Sequence, residues 1–327
     1  MDCEPILILA DPNGKAWNFA KEIYEKLNAN QSRQRVYNLG QVEVSKFTDG
    51  EMFIKVKCNV RKKTCYFIHD SSMPPQDWLF SLALVNDALM RSSARKINNV
   101  LPYMKFSRQD RMTEPRVPIS TSVLANIINP QAYRVITTTL HNPAVQGAYK
   151  IPFDNLKSYP VIIKHLEKNY PEFLKNAVIV APDVGSAQRA ESYAKILGLD
   201  VAIAHKKRKQ AGVIEKMTII GDIEGKNALI VDDMIGSGGT LIKAAEILKE
   251  RGANQIYACA THGIFNSNAK ENLTNSPLDK IIVTDSIPQD KDIKEDDKID
   301  VVTLTNLFAE TIFRISHGQS ISEMFRV

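Results

Sequence analysis

What the chain lacks narrows its class first. No stretch of its 327 residues approaches the ~20 consecutive apolar residues that a membrane-spanning helix needs. The opening MDCEPILILADPNGK has a short apolar run with acids ahead of it, so it reads as a first β-strand rather than a signal peptide. Cys3, Cys58, Cys65 and Cys259 form no CxxC pair, so neither disulfides nor structural zinc are expected, and a reducing, cytoplasmic setting is. Neither charge sign dominates. The 42 Lys+Arg against 37 Asp+Glu leave +5, which suits anionic substrates and is too weak to argue for nucleic acid.

What is present is an ordinary globular composition, 44% hydrophobic and 24% charged, in a length that suggests about two domains. Short β-branched runs alternate with helical patterns from end to end. Strands are expected at 6–9, 66–69, 135–138, 178–181, 228–231, 255–260, 280–284 and 301–304. Helices are expected at 17–27, 78–91, 161–168, 187–197 and 305–316. This is α/β patterning with mostly parallel sheets, whose ligands gather at the carboxyl ends of strands. The proline- and turn-rich IPFDNLKSYP, 151–160, is the best domain junction, and the charge run 288–300 reads as a solvated loop.

The most informative segment is KNALIVDDMIGSGGTLIKAAEILKERG, 226–252. A buried strand leads into Asp232 and Asp233, then a Gly/Ser loop, then a helix with apolar residues at Leu241, Ala244, Ala245 and Leu248. Such a loop aims backbone N–H groups and the positive helix end at an anion. Gly236, Gly238 and Gly239 let the backbone close in, Ser237 and Thr240 add hydroxyls, and the two acids suit the hydroxyls of a sugar. The glycine spacing is wrong for the dinucleotide fingerprint, and the P-loop's Lys-Ser/Thr pair is missing. A tight turn with solvated aspartates is the plainer alternative.

Other clusters each allow two readings. Asp183, Gly185 and Ser186, with Arg189 close behind, make either a turn with a helix N-cap or a second anion site whose Asp183 could bind Mg²⁺. Lys206-Lys-Arg-Lys209 is either a solvated face or localisation signal, or a mobile cationic loop in which Lys206 and Arg208 close over transferring phosphates. Phe47-Thr-Asp49-Gly-Glu51 and Arg108-Gln109-Asp110 are polar clusters that alone would be surface turns. His141 is a metal ligand or a polar core residue.

Taken together, these segments resemble the ribose-phosphate pyrophosphokinase (PRPP synthetase) family, from about Phe47 to the C-terminus, which implies ATP-dependent transfer of a diphosphoryl group to ribose 5-phosphate. A non-catalytic associated subunit of that family and a type I phosphoribosyltransferase are the alternatives. The resemblance implies two similar type I phosphoribosyltransferase-like domains, each with a mainly parallel sheet flanked by helices. It places an ATP-side domain at 1–157, completed by 305–327, and a ribose 5-phosphate and pyrophosphate domain at 158–304. It assigns Phe47, Asp49, Glu51, Arg108, Gln109 and Asp110 to ATP. Asp232, Asp233 and the 236–240 loop go to ribose 5-phosphate, and Asp183, Gly185 and Ser186 to the pyrophosphate. His141 and Asp183 would hold Mg²⁺, and Lys206 and Arg208 would be catalytic. It further implies a cytoplasmic homo-oligomer built on dimers, up to a hexamer, with no membrane or nucleic-acid partner. Four positions depart from the family pattern: Thr139 where an aspartate is usual, Lys150, Gly236 and Pro143.

Overall fold

The computed structural model describes residues 5–29, 35–210, 213–266 and 268–325, with the backbone alone described at 206–210 and 213–216. The chain divides into two compact units. Unit 1 is Met1–Lys157 with Ser286–Pro288 and Thr305–Met324, and unit 2 is Ser158–Asp285 with Gln289–Leu304 and Phe325–Val327.

Unit 1 is built on seven strands: β1 (Ile6–Ala10), β2 (Tyr37–Lys46), β3 (Met52–Val56), β4 (Thr64–Ile68), β5 (Lys96–Leu101), β6 (Arg134–Thr138) and β7 (Phe153–Leu156). They lie in the order β3-β2-β1-β4-β5-β6-β7, all parallel except the β2–β3 hairpin. Strand β1, ILILA, is buried along its whole length, as a central parallel strand covered on both faces must be. The helix Trp17–Asn28 buries Phe19, Ala20, Ile23 and Leu27, one stripe at helical spacing. Against it packs the helix Thr305–Ser316, with Phe19 and Phe308 edge to face at 5.6 Å and Thr305 Oγ1 donating to Glu22 at 3.2 Å.

Unit 2 repeats the plan with β8 (Ala177–Ala181), β9 (Asp200–Gln210), β10 (Val213–Ile220), β11 (Asn227–Ile235), β12 (Ile256–Gly263), β13 (Lys280–Thr284) and β14 (Ile299–Val302). Their order, β10-β9-β8-β11-β12-β13-β14, matches that of unit 1 strand for strand, again with one antiparallel pair, β9–β10. Helices Tyr159–Asn169 and Ala187–Leu197 cover one face and Gly239–Glu250 the other, closing two apolar cores. No helix among the described residues is long and apolar enough to cross a membrane.

Three differences from the sequence-based expectations have physical causes. Strand β5, KINNVL, carries Asn98 and Asn99 fully inside the protein, and their polarity hides the strand; Asn98 Nδ2 donates to the Cys65 carbonyl at 3.0 Å. The boundary between the units, Lys157/Ser158, falls inside the expected junction at 151–160, but four residues of that segment form strand β7, paired with β6. The charge run at 288–300 is not a plain solvated loop. It holds a short helix, Lys291–Lys294, which buries Ile293, and the start of edge strand β14. Its Asp300 accepts from His165 at 2.8 Å and Tyr170 at 2.6 Å, and pairs with Lys280 at 3.2 Å. Burial pushes Asp300 up, but these partners together outweigh it and hold the carboxyl at about 2.

Candidate active site

In each sheet the strand order reverses between two central strands, and their carboxyl ends part to leave a crevice. In unit 2 these are β8 and β11. The acidic pair does not follow β11, as expected, but lies within it: Asp232 pairs with Ala260 of β12, and the ladder continues to Ile235 and Gly263. Asp233 is buried at 3% exposure, and Asp232 is the more open of the two.

Arg189, on the first turns of helix Ala187–Leu197, binds both acids. Its Nη1 is 3.2 Å from Asp232 Oδ1 and its Nη2 is 3.7 Å from Asp233 Oδ1. Asp232 Oδ1 also accepts from the Asp233 N–H at 2.9 Å. Burial first, and Asp233 beside it second, push Asp232 up to about 7 against the opposing pull of Arg189. Ser186 Oγ lies 3.0 Å from Asp183 Oδ1 and 3.1 Å from Asp232 Oδ1, so its single proton serves one carboxylate at a time. The two anion-binding candidates that sequence treats separately thus meet through Ser186. Arg189 holds the cluster together; the sequence places it beside the Asp183 turn but does not show that it reaches Asp232 and Asp233.

Asp183 does perform the plainer of its two roles. It caps the 3₁₀ turn Val184–Ser186, its Oδ1 accepting from the Ser186 N–H at 3.0 Å. Gly185 sits close above that carboxylate, where a Cβ would come 3.3 Å from Oδ1.

The 236–240 loop runs straight into helix Gly239–Glu250, whose first-turn amides have no acceptors inside the helix. Gly238 is also needed for its backbone conformation and its packing. Its φ is +76°, and a Cβ there would fall 2.8 Å from Leu273 Cγ. At Gly236 and Gly239 a Cβ would meet nothing nearer than 3.7 Å and 3.8 Å, so these two leave open space beside the crevice. Ser237 is exposed and Thr240 half-buried.

Lys206 and Arg208 lie two positions apart on β9, their backbones opposite Met217 and Ile214 of β10. The loop expected there is a β-hairpin arm, because β10 returns antiparallel and takes up the backbone hydrogen bonds. The side chains of 206–210, and Gly212, fall outside the described residues.

In unit 1, Phe47–Glu51 is the tight turn of the β2–β3 hairpin. Phe47 N–H donates to the Glu51 carbonyl at 2.8 Å, and Asp49 Oδ1 accepts from the Glu51 N–H at 3.1 Å. Arg108, Gln109 and Asp110 follow β5. Arg108 reaches the Tyr103 hydroxyl at 3.3 Å, Gln109 Oε1 accepts from Ser120 at 2.6 Å, and Asp110 accepts from Asn142. Through Asn142 the structure brings this segment beside exposed His141. It does not bring Phe47–Glu51 to the same place, since β2 and β5 are three strand spacings apart, about 14 Å.

Thr139 closes β6 with φ +45°, an unfavourable conformation for a β-branched residue. Its N–H still donates to the Leu156 carbonyl at 3.0 Å, which holds it there. Asparagine tolerates this backbone far better, so Thr139→Asn should raise stability by about 1 kcal/mol. The denaturant midpoint measures it, and a lower midpoint would show that the threonine side chain matters more than the strain. Pro143 occupies the first turn of the 3₁₀ helix Pro143–Ala148, capped by Asn142, where a missing N–H costs little. Lys150 is exposed.

Residues 13–131 match the N-terminal domain of ribose phosphate pyrophosphokinase, and residues 213–326 match the phosphoribosyl synthetase-associated domain. Over 301 residues the chain is 43% identical to the ribose-phosphate pyrophosphokinase of Vibrio parahaemolyticus, covering 91% of this chain and 95% of the relative. The corresponding protein of Pasteurella multocida is 42% identical with the same coverage. The crystal structure of phosphoribosylpyrophosphate synthetase from Mycobacterium smegmatis superposes with a TM-score of 0.85 at 27% identity, over 96% of this chain and 99% of that one. By sequence along nearly its whole length, and by fold, the chain belongs to the ribose-phosphate pyrophosphokinase family.

Proposed function

We propose that this protein is an ATP-dependent diphosphokinase that converts ribose 5-phosphate and ATP into PRPP and AMP. The observation that carries the reading is the β8–β11 crevice, where a buried acid pair and a glycine loop opening a helix stand side by side. Carboxylates accept from sugar hydroxyls, and helix amides donate to phosphate. Asp232 and Asp233 would orient the ribose, Gly236–Thr240 would hold its 5-phosphate, and Asp183–Ser186 would take the diphosphoryl group.

In this reading the O1 hydroxyl attacks the β-phosphorus of ATP in line. An O1–Pβ bond forms as the O1–H bond gives its proton to solvent, the bond from Pβ to the bridging oxygen of AMP breaks, and AMP leaves with that electron pair. Lys206 and Arg208 would lie over the transferring group and offset its charge. The donors suit Mg²⁺. Among the described residues no three His, Cys, Asp or Glu side chains gather into a metal cage, but Mg²⁺ is commonly held by one or two carboxylates plus substrate phosphates. Asp183 and His141 are each assigned to Mg²⁺ binding, which would neutralise phosphate charge.

Phe47, Asp49 and Glu51 are assigned to ATP together with Arg108, Gln109 and Asp110. Their separation across the sheet of unit 1 supports an ATP site completed by a second copy of the chain, hence a homo-oligomer built on dimers. A cytosolic setting accords with the free thiols of Cys58, Cys65 and Cys259.

The purified protein, incubated with Mg-ATP and ribose 5-phosphate, should release AMP only when the sugar is present. Release of AMP without the sugar, or none at all, would sink the reading.

A further inference from the structure

Unit 1 holds a cavity of about 320 Å³ at the carboxyl ends of β1 and β4, the reversal point of its own sheet. It is the counterpart of the β8–β11 crevice in unit 2. Ile6 pairs with Thr64 as Ala177 pairs with Asn227. Carried to the strand ends, these registers set Gly14 against Gly185 and His69-Asp70 against Asp232-Asp233.

The two crevices keep one feature and differ in two. Each retains a buried aspartate, Asp70 at 8% exposure and Asp233 at 3%. Where unit 2 has its glycine loop, unit 1 has Ser71-Ser72-Met73-Pro74-Pro75, with no glycine and two residues that lack an N–H. Asp70 also occupies the amides an anion would need. It accepts from the Lys15 N–H at 2.7 Å and from the Ser72 N–H at 2.8 Å.

Lys105, whose pKa burial lowers to about 8, acts electrostatically on Asp70 and His69 but is not among the residues that line the cavity. Burial holds the His69 imidazole at about 4, so it is neutral near pH 7, and its Nε2 lies 2.8 Å from the Trp78 carbonyl. Lys46 is paired with Asp77 at 2.8 Å. A phosphate here would face carboxylates. Val44, Met52 and Met73 give the cavity apolar wall, while Asp11 and Asp70 supply acceptors. The volume lies at the small end of ligand pockets, which run from about 300 Å³ upward.

We propose that this cavity binds an uncharged nucleoside, with its ribose hydroxyls on Asp70 and Asp11 and its base against Val44, Met52 and Met73. Val44 and Met52 belong to the two arms of the β2–β3 hairpin, so an occupant braces the hairpin whose turn is Phe47–Glu51. The binding itself does not depend on the ATP reading of that turn.

Adenosine, titrated calorimetrically into the whole protein, tests this. The protein is first saturated with ribose 5-phosphate, Mg²⁺ and a non-hydrolysable ATP analogue, so that the catalytic crevice is already filled. One adenosine per chain is expected, with AMP at least about tenfold weaker because its phosphate meets the carboxylates. Val44→Phe, which fills the cavity, should remove adenosine binding. Asp70→Asn should weaken it about tenfold. No binding to the wild type, AMP binding as tightly as adenosine, or unchanged binding to both variants overturns the proposal. A failed AMP-release assay would leave this titration untouched, so the two readings fall separately.

Discussion

Lys206→Ala should lower kcat on the order of 10²-fold or more while changing the KM for ATP little. A cation that offsets charge only as the diphosphoryl group moves contributes to the transition state and not to the bound ground state. The backbones of Lys206 and Arg208 lie two positions apart on strand β9, in one arm of a hairpin. Arg208→Ala should show the same split between kcat and KM. Steady-state kinetics in both substrates measure it. A Lys206→Ala enzyme with near-normal kcat would return 206–209 to a solvated basic face.

Arg189→Met should destabilise the fold by about 3 kcal/mol near pH 8, because it removes the cation that spans buried Asp233 and half-buried Asp232. The loss should shrink near pH 5, and the direction follows from Asp232. Its folded-state pKa of about 7 lies above its unfolded value of 3.8, so the folded chain binds the extra proton between them. The stabilisation this gives is complete below about pH 4 and lost as pH rises through about 7. Without Arg189 the acid is pushed higher still, and protonation relieves the pair over a wider range.

The wild type should show the kinetic counterpart. The KM for ribose 5-phosphate should rise as pH falls below about 7, because a protonated Asp232 accepts poorly from the sugar hydroxyls. In Arg189→Met that limb should move to higher pH. Denaturant unfolding at the two pH values, with KM–pH profiles of both proteins, checks this. An equal loss of stability at about pH 5 and pH 8 would mean that Arg189 is only a packing residue.

Much of the molecule was legible in the residues because the information there is local. Helices 187–197 and 305–316 follow from their apolar spacing alone, and their observed ends agree. The glycine and serine pattern at 236–240 marks a strand-to-helix turn whatever surrounds it. Composition and the missing apolar run likewise need no fold.

Other features exist only across the fold. The order of the strands sets β8 beside β11, and that adjacency lets Arg189 reach two acids more than forty positions away. Gly238 looks like a phosphate glycine in the sequence, yet Leu273, on a later helix, is what a side chain there would strike. Strand β5 hides because its asparagines are satisfied or enclosed by neighbours that the local pattern does not contain. The duplication is the clearest case. Asp70 and Asp233 share no recognisable motif, and only the matching sheet order and strand registers pair them. Periodicity and turn chemistry act over a few residues, whereas strand neighbours are chosen by burial and by crossover connections that span tens of residues. The sequence therefore determined which segments could bind phosphate and sugar. Tertiary packing decided which of them meet, and what charge they carry when they do.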